Sequence, residues 1–114
     1  MLDTSKIKKP QDLIDMVEEE LRSNPAKYSG KNFRCQFDIS GGNGGQWYIL
    51  INDDKKEVIK GTIKDPICTV MMKETDFIKL VNGKLNAPMA LLTGKIKIKG
   101  DMNHAIKLVE TILA

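Results

Sequence analysis

Gly94-Lys95-Ile96-Lys97-Ile98-Lys99-Gly100-Asp101 decides how the chain is read. Lysines alternate with isoleucines, the period of a half-buried strand, so Lys95, Lys97 and Lys99 face one way and Ile96 and Ile98 the other. Gly94 and Gly100 punctuate its ends. Asp101 then reads as the N-cap of a last helix over 102–113, because its carboxylate can accept from orphan backbone N–H groups. In that helix Ala105, Leu108, Val109 and Ile112 form one apolar stripe, and Met102, Ile106, Val109 and Leu113 a second. Together they wrap over half the circumference, whereas a helix on a sheet needs a stripe of about 100°. The surplus requires a cover: neighbouring helices, a second subunit or a ligand.

Working outward, the preceding segment has the same excess. Thr75 reads as the cap of a short helix over 76–81, closed by Asn82-Gly83. Asn86 caps a second one with Pro88 in its first turn. Phe77, Ile78, Leu80, Val81, Leu85, Met89, Leu91 and Leu92 crowd these two elements, which are too short to persist without packing. Met71, Met72, Met89 and Met102 add pliable side chains suited to irregular contacts. Upstream, alternation predicts strands over 31–39, 46–52, 57–64 and 67–73, the first three a meander joined by short turns. A helix over 10–23 starts at Pro10, buries Leu13, Ile14, Val17 and Leu21, and stops at Asn24-Pro25. The expectation is a single α+β domain over 1–114, with helices stacked on a five-stranded sheet.

Composition narrows the function. Charged residues make up 29% and hydrophobic ones 41%, the balance of a soluble globular fold. Nothing approaches the roughly 18 apolar residues of a membrane span, the amino terminus lacks a signal-peptide pattern, and Ile112-Leu113-Ala114 is not a peroxisomal address; the expectation is cytoplasmic. Net charge is only +3, and no aromatic interleaves with the basic strand, which disfavours nucleic acid as a partner. Cys35 and Cys68 read as free, buried thiols. With one histidine and no Cys-x-x-Cys, neither a metal site nor any cofactor is expected. His104 reads as an exposed surface residue. Gly41-Gly42-Asn43-Gly44-Gly45 leads into a strand and lacks the Lys-Ser/Thr of a phosphate loop, so it reads as a flexible hairpin loop. No nucleophile–base pair is evident, and an enzyme is not expected.

The order Pro-Ile-Cys-Thr-Val-Met-Met from Pro66, Asp-Phe-Ile-Lys-Leu-Val-Asn-Gly-Lys-Leu-Asn from Asp76, Gly-Lys-Ile-Lys-Ile-Lys-Gly-Asp-Met from Gly94 and Ala-Ile-Lys-Leu from Ala105 resembles the C-terminal half of the sterol carrier protein 2 domain. The glycine-rich loop before Trp47-Tyr48-Ile49-Leu50 is also similar to that family's second strand. The resemblance implies a five-stranded sheet covered on one face by helices, with an apolar tunnel between the layers. It implies carriage of fatty acids, acyl-CoA esters or sterol-like ligands. The expected lining is Trp47, Ile49, Val70 and Met72 from the sheet, Phe77, Leu80, Met89 and Leu92 from the small helices, and Met102, Ile106, Val109 and Leu113 from the last helix. Lys84, Lys95, Lys97 and Lys99 are the candidate headgroup or phosphate contacts. The alternative is an interaction module that uses the same apolar helical face for a homodimer or a protein partner.

Overall fold

A computed structural model describes residues 4–113, without the side chain of residue 113. The reading of the amino terminus at residues 1–3 and the lining assignment of Leu113 lie outside the described residues. The chain runs α1 (Pro10–Ser23), a 3-10 turn (Pro25–Tyr28), β1 (Phe33–Ser40), β2 (Gly45–Ile51), β3 (Lys56–Lys60), β4 (Cys68–Lys73), α2 (Glu74–Val81), α3 (Ala87–Leu92), β5 (Ile96–Gly100) and α4 (Met102–Leu113). The five strands form one mixed sheet in the order β3-β2-β1-β4-β5. β1, β2 and β3 make the expected antiparallel meander. β4 then joins β1 in parallel, and β5 pairs antiparallel with β4. The helices cover one face, over a core that joins Ile14, Val17 and Leu21 to Cys35, Ile49, Ile51, Cys68 and Leu108.

Local chemistry sets most boundaries. α1 begins at Pro10, and Asp12 folds back so that its carboxylate accepts from the N–H groups of Lys8 and Lys9 at 3.0 and 3.1 Å. This satisfies donors at the helix entrance. α3 opens with Pro88 in its first turn, and Asn86 accepts from the Met89 N–H at 3.0 Å. At α4 the Asp101 carboxylate accepts from the His104 N–H at 3.2 Å, the cap expected from the sequence. Gly100 has φ +85°, and a Cβ there would meet the Ile67 carbonyl oxygen at 2.4 Å; only glycine can make that turn beside β4.

Several details differ from expectation. α2 begins at Glu74 rather than Asp76, with Lys73 at its N-cap instead of Thr75. β3 ends at Lys60 rather than Lys64, because residues 61–67 leave the edge and cross the face without helices. Gln36 receives that crossing. Its amide donates to the Gly61 carbonyl at 3.1 Å and accepts from the Ile63 N–H at 3.0 Å. Gln36 is thereby buried, although it alternates with the apolar residues of β1. The Arg34 guanidinium donates to the carbonyls of Lys64 and Asp65 in the same strap. Residues Pro25–Tyr28 were not anticipated as an element. They place Tyr28 fully inside, its hydroxyl donating to Glu20, which also pairs with Lys27 at 2.9 Å.

Candidate functional site

The register arranges the helix-facing side chains in rows across the sheet. Val58, Ile49, Cys35 and Cys68 form one row, and Ile39, Met72 and Ile96 another. Both are buried. Between them lies the row of Trp47, Phe37, Val70 and Ile98. Trp47 is buried, but Phe37 and Val70 on the interior strands β1 and β4, and Ile98 on the edge strand β5, are only half-buried.

Helix placement explains the difference. α4 lies over the beginnings of β1 and β4, seated by Ala105, Leu108 and Ile112. His104 fixes it there: its Nε2 accepts from the Arg34 N–H at 3.0 Å, and its ring packs on Phe33 with centroids 5.3 Å apart. The expected exposed histidine is therefore a half-buried tether, because α4 turns it onto an otherwise unpaired strand N–H. Burial holds its pKa below the ordinary value, which keeps Nε2 available as an acceptor. α2 and α3 lie over the other strand ends, with Phe77 and Ala90 buried against them. The central row lies between the strand ends that α4 covers and those that α2 and α3 cover.

Of the expected lining, Trp47, Ile49, Met72 and Phe77 are buried in the core, and Val70 and Leu80 are half-buried. Met89, Leu92, Met102, Ile106 and Val109 are exposed, Leu92 to 83%. The buried stripe of α4 is thus Ala105, Leu108 and Ile112. The surplus stripe of Met102, Ile106 and Val109 has no cover among the described residues. Sequence reading missed Phe37 and Ile98 as floor residues. Their alternation marks the correct face, but only the parallel pairing of β1 with β4 puts them in one row.

The candidate headgroup lysines sit elsewhere. Ile96 and Ile98 face the helices, so Lys95, Lys97 and Lys99 project from the opposite side of the sheet. Lys95 and Lys97 join Lys73, Asp38, Asp76 and Gln46, with Ile39, Met71 and Met72, in a cleft of about 750 Å³ at the strand ends. Lys84 is exposed in the link between α2 and α3. The glycine-rich loop is held to α2: the Glu74 carboxylate accepts from the Asn43 N–H at 3.2 Å. A Cβ at Gly41, where φ is +124°, would strike that carboxylate at 2.5 Å. A carboxylate against this loop is the wrong charge for phosphate.

Cys35 and Cys68 pair across β1 and β4 as free thiols, with sulfurs 2.7 Å apart and both buried. The contact with Cys68 and burial push the Cys35 thiol well above its ordinary value, while the same contact lowers that of Cys68. Among the described residues no three His, Cys, Asp or Glu side chains converge as metal ligands.

The sequence model of the SCP-2 sterol transfer family matches residues 11–112. The chain belongs to that family. Curated relatives include hydroxysteroid dehydrogenase-like protein 2 of Xenopus laevis, 45% identical over 74 residues, which are 64% of this chain and 18% of that protein. The Mus musculus protein of the same name is 38% identical over 94 residues, 82% of this chain and 18% of its own length. The chain therefore spans about a fifth of these relatives. Sterol carrier protein 2 of Homo sapiens is 36% identical over 75 residues, 63% of this chain and 14% of that protein. Among solved structures, sterol carrier protein domain 2 of Helicoverpa armigera superposes with a TM-score of 0.68 at 28% identity, covering 89% of this chain and 83% of that one. Palmitated SCP2L2 from Aedes aegypti gives 0.69 at 23% identity, covering 92% and 95%, and shows the same SCP-2 fold. Membership supports lipid binding and transfer as the business of the domain.

Proposed function

We propose that this SCP-2 domain binds and carries apolar lipids in the trough between its sheet and its helices, with no reaction of its own. The observation that carries the reading is the half-buried pair Phe37 and Val70 on the interior strands β1 and β4, continued by Ile98 on the edge strand β5. The interior strands of a sheet are normally its best-packed part. Here the apolar floor is left partly open beside the exposed Met102, Ile106 and Val109 of α4. Each buried methylene stabilises a complex by about 0.8 kcal/mol. An acyl chain of about 14 methylenes would gain roughly 11 kcal/mol before ordering and association costs of several kcal/mol. Micromolar or tighter binding follows without a covalent anchor.

Displacement of a fluorescent fatty acid by unlabelled lipids tests the reading. The wild-type protein should bind it, and Ile98→Glu and Ile106→Glu should each weaken binding at least about tenfold, because a carboxylate on the trough must be desolvated against an apolar chain. Wild-type affinity in both variants would overturn the assignment. A stable dimer that takes up no lipid would favour the interaction module instead.

A further inference from the structure

The sheet brings together two nucleophilic side chains that lipid carriage does not use. Cys35 and Cys68 lie 33 residues apart in the chain, yet they are direct partners in the parallel pairing of β1 with β4. In-register neighbours on adjacent strands have Cα atoms about 4.8 Å apart, inside the range of roughly 4.4–6.8 Å that a disulfide spans. Both side chains point to the helix-covered face, and their sulfurs stand 2.7 Å apart. A disulfide bond is about 2.0 Å long, so only a small rotation of the side chains separates contact from bond. Both cysteines are free, and they are 0% and 1% exposed. The sequence holds two cysteines, these, so no third thiol in it competes.

We infer that Cys35 and Cys68 are an oxidation site, converted by hydrogen peroxide to a disulfide that staples β1 to β4. Two thiols and one peroxide give one disulfide and two waters. The Cys68 sulfur attacks one peroxide oxygen, the O–O bond breaks, and the other oxygen leaves as hydroxide and takes the proton that the Cys68 thiol gives up. The Cys35 sulfur then attacks the sulfur of the resulting Cys68 sulfenic acid. The S–S bond forms, the S–O bond breaks, and the hydroxyl leaves as water with the Cys35 proton. The order of attack follows from the pair: the contact with Cys35 holds the Cys68 thiol below its ordinary value, whereas Cys35 stays protonated. Burial selects the oxidant. α4 covers the beginnings of β1 and β4, so a molecule little larger than water reaches the sulfurs through brief local opening, and bulky thiol reagents do not. The β1–β4 pairing is also the one that joins the meander of β1, β2 and β3 to the hairpin of β4 and β5. The staple therefore closes a long loop of the unfolded chain and locks the two parts of the sheet together. The inference goes beyond lipid carriage and does not depend on it.

Intact-mass spectrometry tests it. Reduced, folded protein is treated with hydrogen peroxide and denatured in acid, and the remaining thiols are alkylated. The treated protein should lose the mass of two hydrogens, take up no alkyl group, yield a linked peptide pair containing Cys35 and Cys68, and regain both thiols with dithiothreitol. Its melting midpoint should rise by at least about 5 °C over that of the reduced form. Cys35→Ala, checked for folding by circular dichroism, should form no internal link and leave Cys68 to gain oxygen instead. If that variant does not fold, the wild-type masses decide alone. Two alkylated thiols after peroxide, oxygen added to either wild-type sulfur without a link, or a covalent dimer in place of the internal bond overturns the oxidation site. A linked form that melts no higher than the reduced one overturns the staple. Lipid binding by the reduced protein stands or falls separately from all of these outcomes.

Discussion

The two halves of the helical layer are built differently. Over β2 and β3, α1 and the 3-10 turn close completely: Ile14, Val17, Leu21 and Tyr28 are buried on Ile49, Ile51 and Val58. Over β4 and β5, α3 and α4 leave Val70 and Ile98 half-covered, with a set of large apolar side chains in solvent. Both halves have amphipathic helices on the same sheet, so apolar content does not separate them. Completeness of cover does. The first half holds the fold together, and the second keeps apolar surface in reserve.

The strongest way to break this comparison is truncation on both sides. Leu21→Ala should destabilise the protein by about 3 kcal/mol, within the usual range of roughly 2–5 for a buried leucine. Leu92→Ser, on the open side, should change stability by less than about 0.5 kcal/mol. Urea unfolding measures both, and equal losses would show the two halves to be packed alike.

An intermediate effect should come from the ion pair that anchors the closed half. Lys27 bonds to Glu20 at 2.9 Å and also donates to the Ile112 carbonyl at 3.3 Å, so it ties α1 to the end of α4. The hydrogen bond from Lys27 holds the Glu20 carboxyl below its ordinary value. A depressed folded pKa means the unfolded chain binds the proton first as pH falls, so the stabilisation is present above the ordinary carboxylate value and lost as pH drops through the folded one. Glu20→Gln should cost about 1–2 kcal/mol at neutral pH, since the pair is only partly buried. It should also remove part of the acid dependence of the melting temperature; an unaltered acid limb would assign that dependence to other carboxylates.

The smallest effect belongs to the tether on the open half. His104 also has a depressed pKa from burial, so protonation opposes the bond from the Arg34 N–H. Stability should be complete above the ordinary histidine value of about 6.5 and fall below it as pH drops through the folded value. His104→Gln, which keeps an acceptor without titrating, should flatten the melting-temperature profile between neutral and mildly acidic pH. Persistence of the step would place its origin elsewhere.

Much of the architecture was legible in residue pattern. Asp101, Asn86 and Pro10 mark helix starts because capping is local chemistry. The alternation of β5 assigns Ile98 inward and Lys97 outward with no knowledge of neighbours. Other features were hidden because their causes are distant in the chain. Gln36 looks solvent-facing until residues 61–67 cross above it. Tyr28 follows Pro25 in a stretch with no apolar period, and its buried hydroxyl is satisfied by Glu20 of α1. His104 reads as a surface residue until β1 offers it an unpaired N–H.

Sequence alone determined the order of the strands, the caps at Asn86 and Asp101, which side chains share a face, and that the carboxy-terminal third has more apolar surface than it can bury. Tertiary structure alone decided that β4 lies parallel to β1, and so which residues line up across the sheet. Side-chain alternation repeats every two residues and is indifferent to the neighbouring strand. Only the parallel pairing of β1 with β4 sets Trp47 and Phe37 in one line with Val70 and Ile98.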